Sequence, residues 1–176
     1  WWLLRNRTDG FDTHWHHTYL DLYKQHDKDV VDSYYSFSVV RNPYTRFISA
    51  YKQYVKSGDS IYKDMSPLDM LKHFDKKFNL VHNDGQEWTT AVEMNFIPQY
   101  VFTHIRGIQV VDKILRYEQL EKDWSDFVDF QNERVRISNL CSELPHHNKA
   151  PIDTEIVLGE DEKKYIQKLY RKDFDA

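Results

Sequence analysis

The chain has 176 residues and a formal net charge of −4, with Tyr 12, Phe 10 and Trp 5 against only Gly 5 and Pro 5. That length suits one domain with a core of its own, and the composition excludes disorder and low complexity. A slightly acidic balance, pI near 6.1, excludes a general nucleic-acid or membrane-surface binder, so any bound anion needs a local cluster of donors.

A single cysteine, Cys141, excludes an intrachain disulfide framework and a cysteine-built metal site. No run approaches the roughly 18 apolar residues of a membrane span, and no signal peptide is visible. The chain opens on WWLL and closes on YRKDFDA, which reads as a piece of a longer protein.

Residues 1–33 are polar, aromatic and histidine-rich, and HTYLDLYKQH is their helical stretch. Tyr34 to Val40 alternates and ends on two β-branched residues, which predicts a strand. Asn42 then caps a helix with Pro43 at its first position. Tyr44, Ile48, Tyr51 and Val55 share one apolar face of that helix, and Thr45, Arg46, Ser49 and Gln53 form a polar stripe beside it. A loop follows, and Ser66-Pro67 with Asp69 opens a further helix by a capping box. Residues 75–95 are polar and give no clear period, consistent with an excursion over the substrate side. QYVFTH and VVDKILRY read as two more strands around a turn at Arg106-Gly107. EQLEKDWSDFVDF is a helix with Leu120, Trp124, Phe127 and Val128 inward. After the loop LPHHNKAP, the helix EDEKKYIQKLYRKDF buries Ile166, Leu169 and Tyr170. Strands interleaved with helices predict an α/β domain with a mostly parallel sheet.

The join at Arg41-Asn42-Pro43 has the makings of an anion site. A strand running into a helix leaves backbone N–H groups facing the crevice above the sheet, at the positive end of the helix dipole. Arg41 adds a fork of donors suited to phosphate, and Ser49 lies on the same side of the helix. Spacing alone names no ligand, and a capped helix with a solvated face accounts for the same residues.

FSVVRNPYTRFISAYKQY resembles the 3′-phosphate-binding segment of sulfotransferases that use 3′-phosphoadenosine 5′-phosphosulfate (PAPS). It is closest to the carbohydrate-sulfotransferase branch, with its heparan 2-O- and chondroitin-type members and bacterial relatives. FIPQYVF, VVDKILRYEQLEKDW, and LPHHNKAP followed by YRKDF resemble further segments of that family, in order. The resemblance implies a P-loop-like three-layer α/β fold over residues 1–176, with a central mostly parallel sheet flanked by helices. It implies PAPS as donor, 3′-phosphoadenosine 5′-phosphate (PAP) as product, no metal, and a hydroxyl-bearing carbohydrate or small molecule as acceptor. Arg41 and Ser49 match the family's 3′-phosphate ligands, and Lys149, beside Asn148, matches a loop that closes over the nucleotide. The family's Lys-x-Gly/Ala-x-Thr/Ser loop for the 5′-phosphosulfate has no counterpart in this numbering; it is expected upstream of Trp1.

Sulfuryl transfer needs a base for the acceptor hydroxyl, and histidine suits working pH. The resemblance places it at His16 or at His17, with His14 the third histidine of that stretch. A surface-turn role for these histidines, or a metal cluster from all three, are the other readings. Gln99 either faces the acceptor or pins a strand. Arg116 and Glu118 read as a structural pair, and Arg106 as a turn residue. Trp2, Trp15 and Trp88 suit either sugar stacking or the core.

A PAP- or PAPS-binding domain without catalysis is the competing reading, supported by the missing loop. A P-loop-like nucleotide kinase is the third, and it lacks a Walker lysine and a metal-binding acid. The lone cysteine leans towards a cytoplasmic, bacterial-type protein, with the Golgi lumen as the alternative.

Overall fold

The computed structural model describes residues 18–56, 62–84, 95–135, 143–144 and 155–175. Thr18 opens the first helix, α1 (Tyr19–Gln25), by a capping box with Asp21, whose carboxylate accepts from the Thr18 N–H. A short helix α2 (Lys28–Asp32) follows. Strand β1 spans Phe37–Val40, three residues later than the alternation predicts, because the Ser36 N–H donates to the Asp112 side chain instead of a ladder.

Helix α3 (Pro43–Lys56) starts as expected. Asn42 caps it through Oδ1, which accepts from the Tyr44 N–H at 3.0 Å. Its most buried residues are Phe47, Ala50 and Tyr54, with Tyr44, Ile48 and Tyr51 partly buried beside them and Val55 exposed. The apolar face is therefore rotated from the predicted one towards Phe47, because the wall it meets is the aromatic pair Phe74 and Phe96. Helix α4 (Pro67–Asp84) uses the expected capping box, with the Asp69 N–H donating to Ser66 Oγ at 3.1 Å. It runs well into the stretch that gave no clear period.

QYVFTH departs from expectation. Tyr100–Thr103 is a short helix, α5, and only His104–Ile105 is strand, β2. The cause is remote: the Asp173 carboxylate accepts from the Gln99 and Tyr100 N–H groups at 2.8 and 2.9 Å. A carboxylate on those two amides caps a helical turn that the β-prone residues would not choose alone. β2 turns back antiparallel into β3 (Ile108–Gln109) through Arg106-Gly107, both at positive φ (50° and 89°). Two such residues suit a tight hairpin turn, so Arg106 is a turn residue as read.

Strand β4 (Lys113–Arg116) pairs parallel with β1, Phe37 opposite Lys113 and Val40 opposite Arg116. A 3₁₀ turn (Tyr117–Gln119) leads into helix α6 (Leu120–Val135), which covers one sheet face with Phe127 and Val128 against Phe37, Val39 and Leu115. Ile114 points to the other face, where it meets Tyr19, Val31, Ile105 and Val111. Helix α7 (Glu160–Leu169) packs on α3 and α4 through Ile166, and Tyr170 is buried behind it, before a final 3₁₀ turn Arg171–Asp173.

The architecture is mixed α/β, a small parallel sheet flanked by helices. Among the described residues the parallel sheet has two strands. No described helix is long and apolar enough to cross a membrane.

Candidate functional site

Parallel pairing of β1 and β4 sets the residues that follow each strand side by side. Arg41 leaves the end of β1 next to Tyr117 at the end of β4, and its guanidinium lies 4.4 Å from that ring's centroid. Arg41 Nε donates to Thr45 Oγ1 at 3.1 Å. Together these fix the plane of the guanidinium, and its two terminal amino groups have no protein partner among the described residues.

A cavity of about 230 Å³ opens beside Arg41, lined by Arg41, Arg46, Ser49, Gln53, Asn95 and Gln99 among its polar residues. Ser38, Val39, Ala50 and Phe102 complete it. The structure thus brings Arg41 and Ser49 to one cavity, as the sequence reading expects. Ser49 Oγ has no partner among the described residues, which leaves it able to donate to a ligand. His16, His17 and Lys149 lie outside the described residues, as do His14 and Asn148.

The backbone of the join needs a correction. Three of the expected unpaired amides are in use: Arg41 N–H donates to Gln99 Oε1, Asn42 N–H to Glu118 Oε1, and Tyr44 N–H to Asn42 Oδ1, at 2.8, 2.8 and 3.0 Å. Pro43 has no N–H to give. Gln99 and Glu118 come from other elements to two of these donors, and the cap residue Asn42 serves the third. The cavity offers an anion the side chains of Arg41 and Ser49, set on a turn whose Arg41, Asn42 and Tyr44 amides are already satisfied.

Arg46 belongs to the wall rather than to the solvated stripe. Its Nη2 donates to the Asn95 carbonyl at 3.0 Å and to the Ile97 carbonyl, and Nη1 lies 3.7 Å from Asp173 Oδ2. It also lies over the Tyr170 ring, 5.5 Å to the centroid. Burial pushes Arg46 down from its ordinary range, against the pull of Tyr170 and Asp173. Burial likewise pushes the Asp173 carboxyl up, opposed by the Tyr100 and Gln99 N–H groups and by Arg46. Arg46 therefore lends the cavity positive charge while part of its donor set is spent on the fold.

Gln99 pins the join, the second of the two roles read for it. Besides accepting from Arg41 N–H, its Nε2 donates to the Arg41 carbonyl at 2.8 Å. Glu118 is structural as read, but its partner is the Asn42 amide, while the Arg116 N–H donates to Asp123 at 2.7 Å. Asp173 drew no attention in the sequence, since an aspartate among lysines near a helix end looks solvated; only tertiary contact reveals it.

His104 stacks on Tyr100, centroids 4.3 Å apart and planes 9° from parallel, and Lys172 lies over the Tyr100 ring. Burial and, less, Lys172 push His104 below its ordinary value. Among the described residues no three His, Cys, Asp or Glu side chains gather as a metal site.

The family model described as "Sulfotransferase family" matches residues 4–176. The chain belongs to the sulfotransferase family. Neither a curated protein nor a solved structure matches it. For this sulfotransferase, family membership means that the chemistry of its fold is the transfer of a sulfuryl group. The cavity with Arg41 and Ser49 is its candidate site.

Proposed function

We propose that this sulfotransferase moves a sulfuryl group from PAPS to a hydroxyl of a carbohydrate or small metabolite. One observation carries the reading: Arg41 and Ser49, on opposite sides of the Asn42-Pro43 cap, line one cavity in a chain matched by the family over residues 4–176. Arg41 offers a phosphate two amino groups that are unshared among the described residues, Ser49 one hydroxyl, and Arg46 adds positive charge behind them. A 3′-phosphate is the group that distinguishes PAPS from ordinary adenine nucleotides, and this donor set suits it. A P-loop-like three-layer arrangement, of the carbohydrate-sulfotransferase branch, is the fold that goes with this reading.

In the reaction the acceptor oxygen bonds to sulfur as the bond from sulfur to the 5′-phosphate oxygen breaks, and the hydroxyl proton passes to a histidine. His16 or His17 is that base, and Lys149 a further cation near the nucleotide. Positioning and charge stabilisation supply most of the acceleration, as in phosphoryl transfer.

Titration calorimetry of the full-length protein with PAP, followed by turnover of PAPS over a panel of hydroxyl acceptors, tests this. Binding with turnover is expected. No PAP binding overturns the reading, and binding without turnover replaces it with a non-catalytic nucleotide-binding domain. Replacing His16 and His17 singly by Ala should cut turnover on the order of 10²-fold at one of them only.

A further inference from the structure

We infer that Gln99 is a positioning residue for Arg41, and that it acts as the near end of a relay anchored on Asp173. The inference rests on the reading of Arg41 as the 3′-phosphate ligand and adds residues that have no contact role in it.

A primary amide carries one acceptor and two donors in one plane, and Gln99 spends both kinds on a single residue. Its Oε1 takes the Arg41 N–H and its Nε2 gives to the Arg41 carbonyl, both at 2.8 Å. That is the pair of bonds a neighbouring strand would supply. It fixes the peptide planes on both sides of the Arg41 Cα, and so the direction in which the guanidinium leaves the chain. Tyr117 and Thr45 then hold the far end of the side chain.

Gln99 is itself held. Its own N–H and that of Tyr100 donate to the two carboxylate oxygens of Asp173, a side chain with no exposed surface. The same carboxylate lies 3.7 Å from Arg46 Nη1 on the cavity wall. One buried group thereby sets both cations of the cavity, Arg46 directly and Arg41 through Gln99. Gln99 has the charge-neutral chemistry this needs: a glutamate there keeps the acceptor but loses the donor, and puts a negative charge beside the anion.

The test compares PAP with adenosine 5′-monophosphate, which differ only by the 3′-phosphate, on the full-length protein. A wild-type chain that binds the two alike overturns the phosphate reading itself, before any variant is compared. Given wild-type preference for PAP, Gln99→Leu should lose about tenfold of that preference, within the range for directly coupled neighbours. The monophosphate should weaken less than PAP. In an Arg41→Ala background the same substitution should cost nothing further. Equal weakening of both nucleotides, or an additive loss in that background, overturns the positioning role. If Gln99→Leu does not fold, Gln99→Asn, neutral and one methylene too short to keep both bonds, reads the same quantity, and wild-type preference in that variant overturns the inference as well.

Discussion

Gln99 and Arg41 exchange two hydrogen bonds of 2.8 Å, side-chain amide to backbone, across 58 residues of sequence. The exchange replaces, at the end of β1, the ladder that a continuing strand would have had. It stops the strand, satisfies the turn before α3 starts, and turns Arg41 towards the cavity. This is why the join offers side chains rather than free amides to a ligand.

Arg41→Lys keeps the charge but loses the planar fork and the contact with Tyr117. It is expected to weaken PAP by roughly tenfold or more, as bidentate sites do not accept lysine as an equivalent. Ser49→Ala should cost less, about 1 kcal/mol, the worth of one hydrogen bond. Calorimetry with PAP measures both, and Ser49→Ala binding as tightly as wild type would remove Ser49 from the site.

Glu118 puts a carboxylate against the Asn42 amide, next to the proposed phosphate position. Glu118→Gln keeps an acceptor there and removes the charge. PAP should bind the variant a few-fold tighter at low salt, the gain fading as salt screens it. Stability should fall by about 0.3–1 kcal/mol, since a negative charge at a helix N-terminus is favourable. Looser binding in the variant would contradict this placement.

Asp173→Asn leaves Arg46 without its counter-charge and one of the Gln99 and Tyr100 amides without an acceptor. Breaking a buried pair on one side costs on the order of 3–5 kcal/mol. The urea midpoint should fall accordingly. Burial raises the Asp173 carboxyl above its unfolded value. The folded state therefore holds that proton more tightly, and this one group favours folding most below the unfolded value and loses that contribution as pH rises through the folded one. Asp173→Asn, which does not titrate, should remove that group's slope.

His104 has the opposite linkage. Its folded value lies below the ordinary 6.5, by burial first and Lys172 second. As pH falls below 6.5 the unfolded chain takes up the proton first, so stability present above that value is lost. His104→Phe preserves the stack on Tyr100 without the titration. Melting temperature against pH should be flatter in the variant between about pH 5 and 7; an unchanged slope would mean other groups set it.

In the core, Phe74 stacks on Phe96 with centroids 4.3 Å apart and both are 1% exposed. Phe74→Ala is expected to cost about 3–5 kcal/mol in chemical denaturation. Because Phe96 leads into Asn95, which lines the cavity, nucleotide binding should weaken in the same variant.

Much of the local plan was legible in the chain. Ser66-Pro67 with Asp69 and Asn42-Pro43 both open helices where they were read to, because a cap needs only a few consecutive residues. Arg106-Gly107 makes the turn for the same reason. Leu120, Trp124, Phe127 and Val128 face inward on α6 because a helical period carries its own face. The meeting of Arg41 and Ser49 in one cavity was also legible, since strand, cap and helix are contiguous and rigid.

What tertiary structure alone decided are the places where a partner comes from far along the chain. QYVFTH is strand by propensity and helix in the fold, since Asp173, 74 residues from Gln99, caps it. Arg46 sits in a polar stripe by period and in the core in fact, because Asn95, Ile97 and Asp173 close over it. The Arg41 and Asn42 amides are free by local rule and satisfied in the fold by Gln99 and Glu118. Local sequence sets periods and caps, which depend on neighbours within a turn. Which polar group is satisfied, and so which remains to meet a ligand, depends on what the folded chain brings against it.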